Sequence, residues 1–399
     1  MERTESISQS RISVPRWALA LAPLVLLVGL IGVFLLANPL RAFSGAFPPI
    51  EELTIQQARF PAAGEIELEV INGGPDPITI AQVLVDDAYW PFRISVPDRQ
   101  LDRLERATIG LDYPWVQDEP LTFLLISSTG VTFEHEVEVA TESPQPGAGA
   151  FLRYGLLGIY VGVIPVALGL LWYPFIRGVE RKWLNFVLAL TVGLLVFLFV
   201  DTVLEALEIA AVLAESFQGV PLVVFGILLS LGVLLAVGRG RGGQRSPLAL
   251  ASLIALGIGL HNFGEGLAIG AAFASGAAAL GSFLVIGFTL HNVTEGIGIA
   301  APLVRAARPS LRTFLALALL AGGPAVLGAW IGGLAFSPLL ATLFLSIGAG
   351  AILQVIWEVG RLLVGESRSA DEPTLNWLNF GGLVAGILVM YLTAFLVKF

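Results

Sequence analysis

The chain has 399 residues, of which 56% are hydrophobic and 13% charged, and its mean hydropathy is +0.82. Soluble domains carry about 25% charged residues, so this composition excludes a soluble globular protein. With a net charge of −9 we expect no nucleic-acid partner, and the lack of cysteine excludes disulfides and thiolate metal sites.

Apolar stretches of about 18 residues or more are long enough to cross a bilayer as helices. The sequence predicts a polytopic α-helical membrane protein with nine spans, at 17–38, 151–175, 183–212, 219–237, 248–273, 278–303, 312–335, 338–364 and 375–397. The first span follows a cytoplasmic N-terminus, 1–16, and exceeds the apolar run of about 7–15 residues typical of a signal peptide. We interpret it as an uncleaved transmembrane anchor, with a cleaved signal as the alternative.

The basic residues predict the orientation, because arginine and lysine collect on the cytoplasmic side of a membrane. The loops around 213–218, 274–278 and 335–338 contain neither residue. We therefore expect a plasma-membrane protein with the N-terminus inside and with residues 44–148 and the C-terminus outside. The N-terminus and the other loops contain Arg3, Arg11, Arg16, Arg177, Arg181, Lys182, Arg239, Arg241, Arg245, Arg305, Arg308, Arg312, Arg361 and Arg368.

Between the first and second spans the hydrophobic pattern changes to the alternation of β-strands. This pattern predicts a small extracytoplasmic all-β sandwich over 44–148, followed by a short linker, 144–150, into a membrane domain, 151–399. The alternating segments are 52–60, 65–73, 78–87, 107–113, 121–128 and 131–139.

The region 44–148 contains 18 acidic and 5 basic residues. This excess would either attract divalent cations or form a solvated acidic surface. His135, one of three histidines in the chain, stands between Glu134 and Glu136. Neighbours on a strand point to opposite faces, so we expect a partly exposed strand histidine rather than a metal ligand.

The other two histidines occur in a repeated motif, HNFGEG at 261–266 and HNVTEG at 291–296, in two consecutive spans. Positions i and i+4 of a helix share one face, so each histidine projects together with the glutamate four residues later. The two spans are joined by a few small residues and are expected to be antiparallel neighbours. They would bring two imidazoles and two carboxylates to one depth, those of His261, Glu265, His291 and Glu295.

These side chains are typical ligands of Zn²⁺, which is the favoured ion, and they also suit Fe²⁺, Mn²⁺, Co²⁺ or Cd²⁺. Asn262 and Asn292, about 100° further around each helix, would offer carbonyl oxygens to a second ion. The alternative is an interhelical hydrogen-bonded staple that holds no ion. Two copies of the motif favour the ion, because each unpaired carboxylate inside a bilayer costs at least about 2–3 kcal/mol.

The paired motif resembles that of the ZIP (ZRT/IRT-like) family of divalent metal transporters, which has eight spans and metal ligands on the fourth and fifth. Without the first span this chain has eight, and the two motifs fall on the fourth and fifth. The resemblance covers 151–399 and implies an eight-helix ZIP-like bundle. It also implies a primary metal site of two His–Glu pairs and a secondary site in which the asparagines share the glutamates, formed by His261, Glu265, His291, Glu295, Asn262 and Asn292.

Residues on either side of the motif also resemble the family. Asp201 and Glu205, in DTVLEAL, match its acidic entrance, and Gln354 and Glu358, in GAGAILQVIWEV, match the helix that leads to its cytoplasmic exit.

Three features depart from the family pattern. Gly264 and Thr294 stand where the family often has proline before the motif's acid. Gly323 precedes Pro324 where many bacterial members have a glutamate that completes the secondary site. The loop GRGRGGQRS lacks the histidines that are common there.

The resemblance implies a protein that is not an enzyme and that moves a divalent metal ion, Zn²⁺ first, across the plasma membrane towards the cytoplasm. Its expected partners are metal ions, the lipid bilayer and, as in many members of the family, a second copy of the chain. Two alternatives remain open. One is an intramembrane metal-dependent hydrolase with a zinc-bound water as nucleophile, and the other is a non-transporting metal receptor that works through the outer domain.

Overall fold

The computed structural model describes residues 16–37, 49–137, 139–145, 147–239, 246–274, 278–305, 309–369 and 373–397. The chain divides into two compact units, Met1–Ile50 and Glu51–Phe399. The first contains helix α1, Arg16–Ala37, at the position of the predicted anchor. The predicted cytoplasmic N-terminus, except for Arg16, lies outside the described residues, as do Arg241, Arg245 and Arg308.

The second unit contains ten further helices. A π-helical turn at Ile159–Val163 joins the first two, and a short break precedes the third, so that these three together make one long apolar segment, Ala148–Gly178. The helices are α2 (Ala148–Gly158), α3 (Ile164–Leu170), α4 (Tyr173–Gly178), α5 (Arg181–Ala211), α6 (Gly219–Arg239), α7 (Pro247–Ala274), α8 (Ala278–Ala300), α9 (Leu311–Leu334), α10 (Pro338–Ser369) and α11 (Trp377–Val397).

Among the described residues, eight helical segments are long and apolar enough to cross a membrane. They are Ala148–Gly178 and one segment at each of α5 to α11, and they overlap the last eight of the nine predicted spans. Helix α1 lies at the first predicted span and contains the apolar stretch Leu21–Phe34. The chain is therefore mostly helical, with the composition of a membrane protein.

The eight apolar segments pack as two groups. Helices α2, α3, α7, α8 and α9 form the first group, and α5, α6, α10 and α11 form the second, with α7 against α10 as the main contact between them. Glycine allows the closest approaches: a Cβ at Gly266 of α7 would lie only 2.1 Å from the Ala325 carbonyl oxygen of α9. At this separation any side chain would force the two helices apart.

The β domain precedes the helices in the second unit. Its first sheet has the strand order β1-β2-β7-β5, and its second has the order β4-β3-β8-β9 with β6 also paired to β3. All neighbouring strands are antiparallel. The strands are β1 (Leu53–Ala62), β2 (Glu65–Asn72), β3 (Ile78–Val85), β4 (Ala88–Trp90), β5 (Phe92–Ile94), β6 (Gln100–Leu101), β7 (Arg106–Asp112), β8 (Leu121–Ser127) and β9 (Thr132–Val137).

One apolar core lies between the two sheets. Phe60 and Leu68 from the first sheet and Phe123 and Leu125 from the second are fully buried in it. The alternation of buried and half-buried residues along β8 is the pattern from which the strand was predicted. The prediction of a small all-β region is confirmed, and β4, β5 and β6 are strands that it did not include.

Candidate metal centre

The side chains of His261, Glu265 and His291 meet inside the helix bundle, and all three are buried. His261 Nε2 lies 2.8 Å from Glu265 Oε1, and His291 Nε2 contacts the same carboxylate oxygen. One ligand atom from each side chain lies within 4.8 Å of the other two. Helices α7 and α8 thus bring together three of the four side chains that the repeated motif predicts as metal ligands.

The position of α10 explains why this cluster is shielded. A Cβ at Gly348 of α10 would lie 3.2 Å from the Cα of His261. Helix α10 therefore packs directly on the backbone of α7 beside the imidazole. The cluster lies where the first helix group meets the second.

Glu295, the fourth predicted ligand, is buried beside this cluster, and its carboxylate interacts electrostatically with both imidazoles and with Glu265. The three-residue cluster itself does not include Glu295. The Glu295 side chain borders a small cavity of about 10 Å³, close to the minimum that one water molecule requires. Thr191 of α5 and Thr294 of α8 also line this cavity.

Asn262 and Asn292 are fully buried, and each amide nitrogen donates to the backbone of another helix. Asn262 Nδ2 donates to the Ala321 carbonyl, and Asn292 Nδ2 donates to the Val161 carbonyl, both at 3.0 Å. Asn292 Nδ2 also donates to Glu265 Oε2, at 3.2 Å. These bonds fix the orientation of both amide groups.

The Val161 carbonyl can accept a hydrogen bond from Asn292 because of a proline in the sequence. In an α-helix it would accept from the backbone N–H four residues later, but Pro165 stands there and has no N–H. The π-helical turn lies at the same place, as such turns often do at functional sites. Pro165 thus prepares an acceptor for Asn292.

Several buried acceptor atoms near the cluster have no hydrogen-bond partner in the described part of the chain. They are His261 Nδ1, Asn262 Oδ1, Asn292 Oδ1 and both carboxylate oxygens of Glu295. Buried acceptors without a donor are costly, and each of these atoms can donate a lone pair to a cation. The arrangement is therefore suited to hold positive charge.

The predicted entrance residues lie on α5, on the side of the cluster towards the β domain. Asp201 is exposed and Glu205 is half-buried. Asp201 acts electrostatically on His291, and Glu205 interacts with Glu265 and His261. Both predicted entrance carboxylates thus lie within electrostatic range of the cluster.

The predicted exit residues lie on α10, on the other side of the cluster. Gln354 is fully buried and Glu358 is 5% exposed. A Cβ at Gly257, one turn before His261 on α7, would lie 3.2 Å from Gln354 Oε1. Neither amide atom of Gln354 has a hydrogen-bond partner among the residues described. Gln354 therefore continues the polar surface of the site by one helical turn.

The sequence did not single out two buried polar side chains at the far end of the bundle. Glu366 of α10 is 3% exposed and lies 3.7 Å from Arg181 Nε, and Asn185, one turn after Arg181 on α5, is 1% exposed. Glu366 follows the predicted span 338–364, so its pattern indicated a solvated loop. Asn185 stands alone in an apolar run, and no spacing marked it.

His135 of β9 is half-buried and pairs in register with Phe123 of β8. Its neighbours Glu134 and Glu136 are exposed on the opposite face. Burial lowers the pKa of His135 below its usual value.

Fold and site together describe a mostly helical chain with eight segments long and apolar enough to cross a membrane, among the residues described, and with a buried His–Glu–His cluster that could hold a metal ion. Comparison with known proteins gives no match, either to a protein-family model or to a curated protein. The ZIP-like interpretation therefore rests on the repeated motif and its place among the helices.

Proposed function

We propose that this protein carries a divalent transition-metal ion, Zn²⁺ first, across the plasma membrane towards the cytoplasm, as the members of the ZIP family that it resembles do. The observation that carries the proposal is the buried cluster of His261, Glu265 and His291, surrounded by acceptor atoms that lack hydrogen-bond donors. Glu295, Asn262 and Asn292 would complete the ligand set.

The donor atoms support a borderline divalent ion. Imidazole nitrogens and carboxylate oxygens suit Zn²⁺, and the lack of thiolates disfavours monovalent copper. An ion between the imidazole nitrogens and the Glu265 carboxylate would replace the protons that now hold these groups together. Metal binding should therefore release protons.

Acidic and amide groups on both sides of the cluster support the passage of a metal ion through the bundle rather than its storage at one site. Asp201 and Glu205 lie towards the β domain, and Gln354 and Glu358 lie towards the opposite end of the bundle. A resident catalytic or structural ion would need ligands at one depth only. A moving ion needs groups that can exchange its ligands stepwise along the path.

The ends of the bundle support the direction of transport. The β domain contacts the loop after α5, whereas Arg177, Arg181 and Lys182 lie at the opposite end, around the start of α5. Trp172 and Trp183 are exposed near the same end, which is typical of a membrane–water interface. This end is assigned to the cytoplasm, and the β domain to the outside.

The proposal is tested by the uptake of Zn²⁺ into proteoliposomes that contain the purified full chain. Wild type should transport Zn²⁺, and Glu265→Gln should lower the initial rate at least 100-fold, because its side chain contacts both imidazoles. Glu119→Gln, which changes an exposed acid of the β domain, is the matched control and should retain the wild-type rate.

Zn²⁺ uptake that is equal in wild type and Glu265→Gln would contradict the proposed path. Release of lipid headgroups by the wild type, without Zn²⁺ uptake, would indicate the metal-dependent hydrolase instead. Competition with Cd²⁺, Fe²⁺ and Mn²⁺ in the same assay would rank the substrates.

A further inference from the structure

The β domain contacts the helix bundle at the loop between α5 and α6. Glu215 N–H donates to Glu52 Oε1 at 2.6 Å, and Ser216 Oγ donates to the Gly73 carbonyl. Ala214, beside these residues, is 1% exposed. We call this contact, formed by Glu52, Gly73, Ala214, Glu215 and Ser216, the outer dock.

The outer dock is closely packed and depends on a glycine. A Cβ at Gly73 would lie 2.4 Å from the Ala214 Cβ and 2.6 Å from Glu52 Oε1. Any side chain at this position would collide with the loop. The backbone of the β domain therefore rests directly on the start of the α5–α6 turn, Glu215–Phe217.

The same domain is also joined to the other helix group through its C-terminal segment. Ser143 Oγ accepts from Phe60 N–H at 3.0 Å, Ser143 N–H donates to the Phe60 carbonyl, and Gln145 Nε2 donates to the Pro61 carbonyl. These bonds hold the segment along β1 almost to Ala148, where α2 begins. Few residues of the predicted linker, 144–150, therefore remain between the last of these hydrogen bonds and the start of α2.

The β domain consequently joins the ends of both helix groups on one side of the bundle. Its C-terminal segment leads into α2, in the first group, and the outer dock holds the α5–α6 loop, in the second. The His–Glu–His cluster is on α7 and α8, in the first group, whereas Asp201 and Glu205 are on α5, in the second. The route from the acids to the cluster therefore crosses the boundary that the β domain bridges.

We propose that the β domain is a clamp that holds the two helix groups together at their outer ends and thereby restrains the movement that admits the metal ion. This inference rests on the proposed transport function. Breaking the outer dock lets the groups separate more easily, because only the contacts between the helices then hold them. Metal uptake becomes faster when the dock is open and slower when it is closed.

The test uses size exchange at the outer dock in the full-length protein. Gly73→Ala should open the dock and raise the initial rate of Zn²⁺ uptake threefold or more. Gly73→Ala combined with Ala214→Gly removes the methyl group that the new Cβ would meet at 2.4 Å but leaves Glu52 Oε1 at 2.6 Å, so the rate should return only part of the way to that of wild type. Gly110→Ala, whose Cβ would lie 3.8 Å from its nearest neighbour in the β domain, is the matched control and should leave the rate unchanged.

Hydrogen exchange of the same proteins in detergent provides a readout that does not depend on transport. In Gly73→Ala, amides of the 213–218 loop and of the adjacent ends of α2 and α5 should exchange faster, and the double variant should restore part of their protection. Protection unchanged in both helix groups would overturn the clamp, and so would a rate at or below wild type with faster exchange. If wild type itself moves no metal, the transport function fails, and the exchange data still decide whether the domain couples the two groups.

Discussion

At the scale of single residues, Glu265 is the centre of the site. One carboxylate oxygen contacts both imidazoles, and the other accepts from Asn292. The i,i+4 spacing of the motif was sufficient to predict that His261 and Glu265 lie together. It could not predict that His291 reaches Glu265 while Glu295 lies to one side, because this depends on the rotation of α8 relative to α7.

Burial at Asn185 and Glu366 could not be predicted either. Asn185 is an isolated polar residue within an apolar run, and Glu366 belongs to the polar stretch that follows one, a position that is usually solvated. Only the packing of the start of α5 against the end of α10 buries them. The sequence therefore predicts polar sites that repeat with a helical period and misses those made by isolated residues on distant segments.

His135 makes the β domain less stable in acid. Because burial lowers its pKa in the folded state, the unfolded chain binds the proton more readily, so stability falls as the pH drops through about 6.5, the ordinary histidine value. Hydrogen exchange of β8 and β9, corrected for the intrinsic effect of pH, should show protection decreasing between pH 7.5 and 5.5. His135→Asn should lose most of this decrease, and an equal decrease in both proteins would assign the effect to other groups.

At the scale of elements, the apolar helices follow from the length of the apolar runs, and six of the strands follow from their alternating pattern. Strands β4, β5 and β6 have only two or three residues each, with Pro91 and Pro97 nearby. Their pairing depends on the longer strands that they border, so no local pattern marks them. The π-helical turn in the first apolar segment was likewise not predicted, although Pro165 was a visible signal of a missing hydrogen bond.

Pro165→Ala should weaken metal binding without unfolding the protein. Alanine supplies the N–H that α-helical geometry directs at the Val161 carbonyl, and this donor would compete with Asn292 Nδ2. The freed amide would turn, and the dissociation constant for Zn²⁺ should rise about tenfold, as for other residues that orient ligands. Titration calorimetry on the purified protein measures the change.

Pro174→Ala is the matched control for this substitution. Pro174 lies in the first turn of α4, where the backbone N–H has no helical acceptor. Its replacement should leave the dissociation constant unchanged. Equal weakening in both variants would show that the Val161 carbonyl has no special role.

At the scale of the whole molecule, charge and composition predict which side each end of the bundle faces. The acidic β domain and the basic residues near the start of α5 lie at opposite ends. The sequence was sufficient to predict this separation, because the distribution of basic residues among the loops does not depend on how the helices pack. The contact between the β domain and the α5–α6 loop could not be predicted from the sequence, since it is made largely by backbone atoms and small residues.

Single-cysteine labelling tests the orientation, and the absence of native cysteine leaves no background. A membrane-impermeant maleimide should label Glu119→Cys, in the β domain, on intact spheroplasts. Arg368→Cys, near the end of α10, should react only after the membrane is opened. The reverse pattern would invert the proposed direction of transport.

Zn²⁺ binding to the purified full chain is the decisive test of whether His261, Glu265 and His291 form a metal-binding site. We expect bound Zn²⁺ whose X-ray absorption spectrum shows only nitrogen and oxygen ligands, imidazole among them, at about 2.0–2.2 Å. Glu265→Gln should lose this binding, while the control Glu134→Gln should keep it. If wild type bound no divalent metal, or if Glu265→Gln bound Zn²⁺ as tightly as wild type, these side chains would not form a metal site.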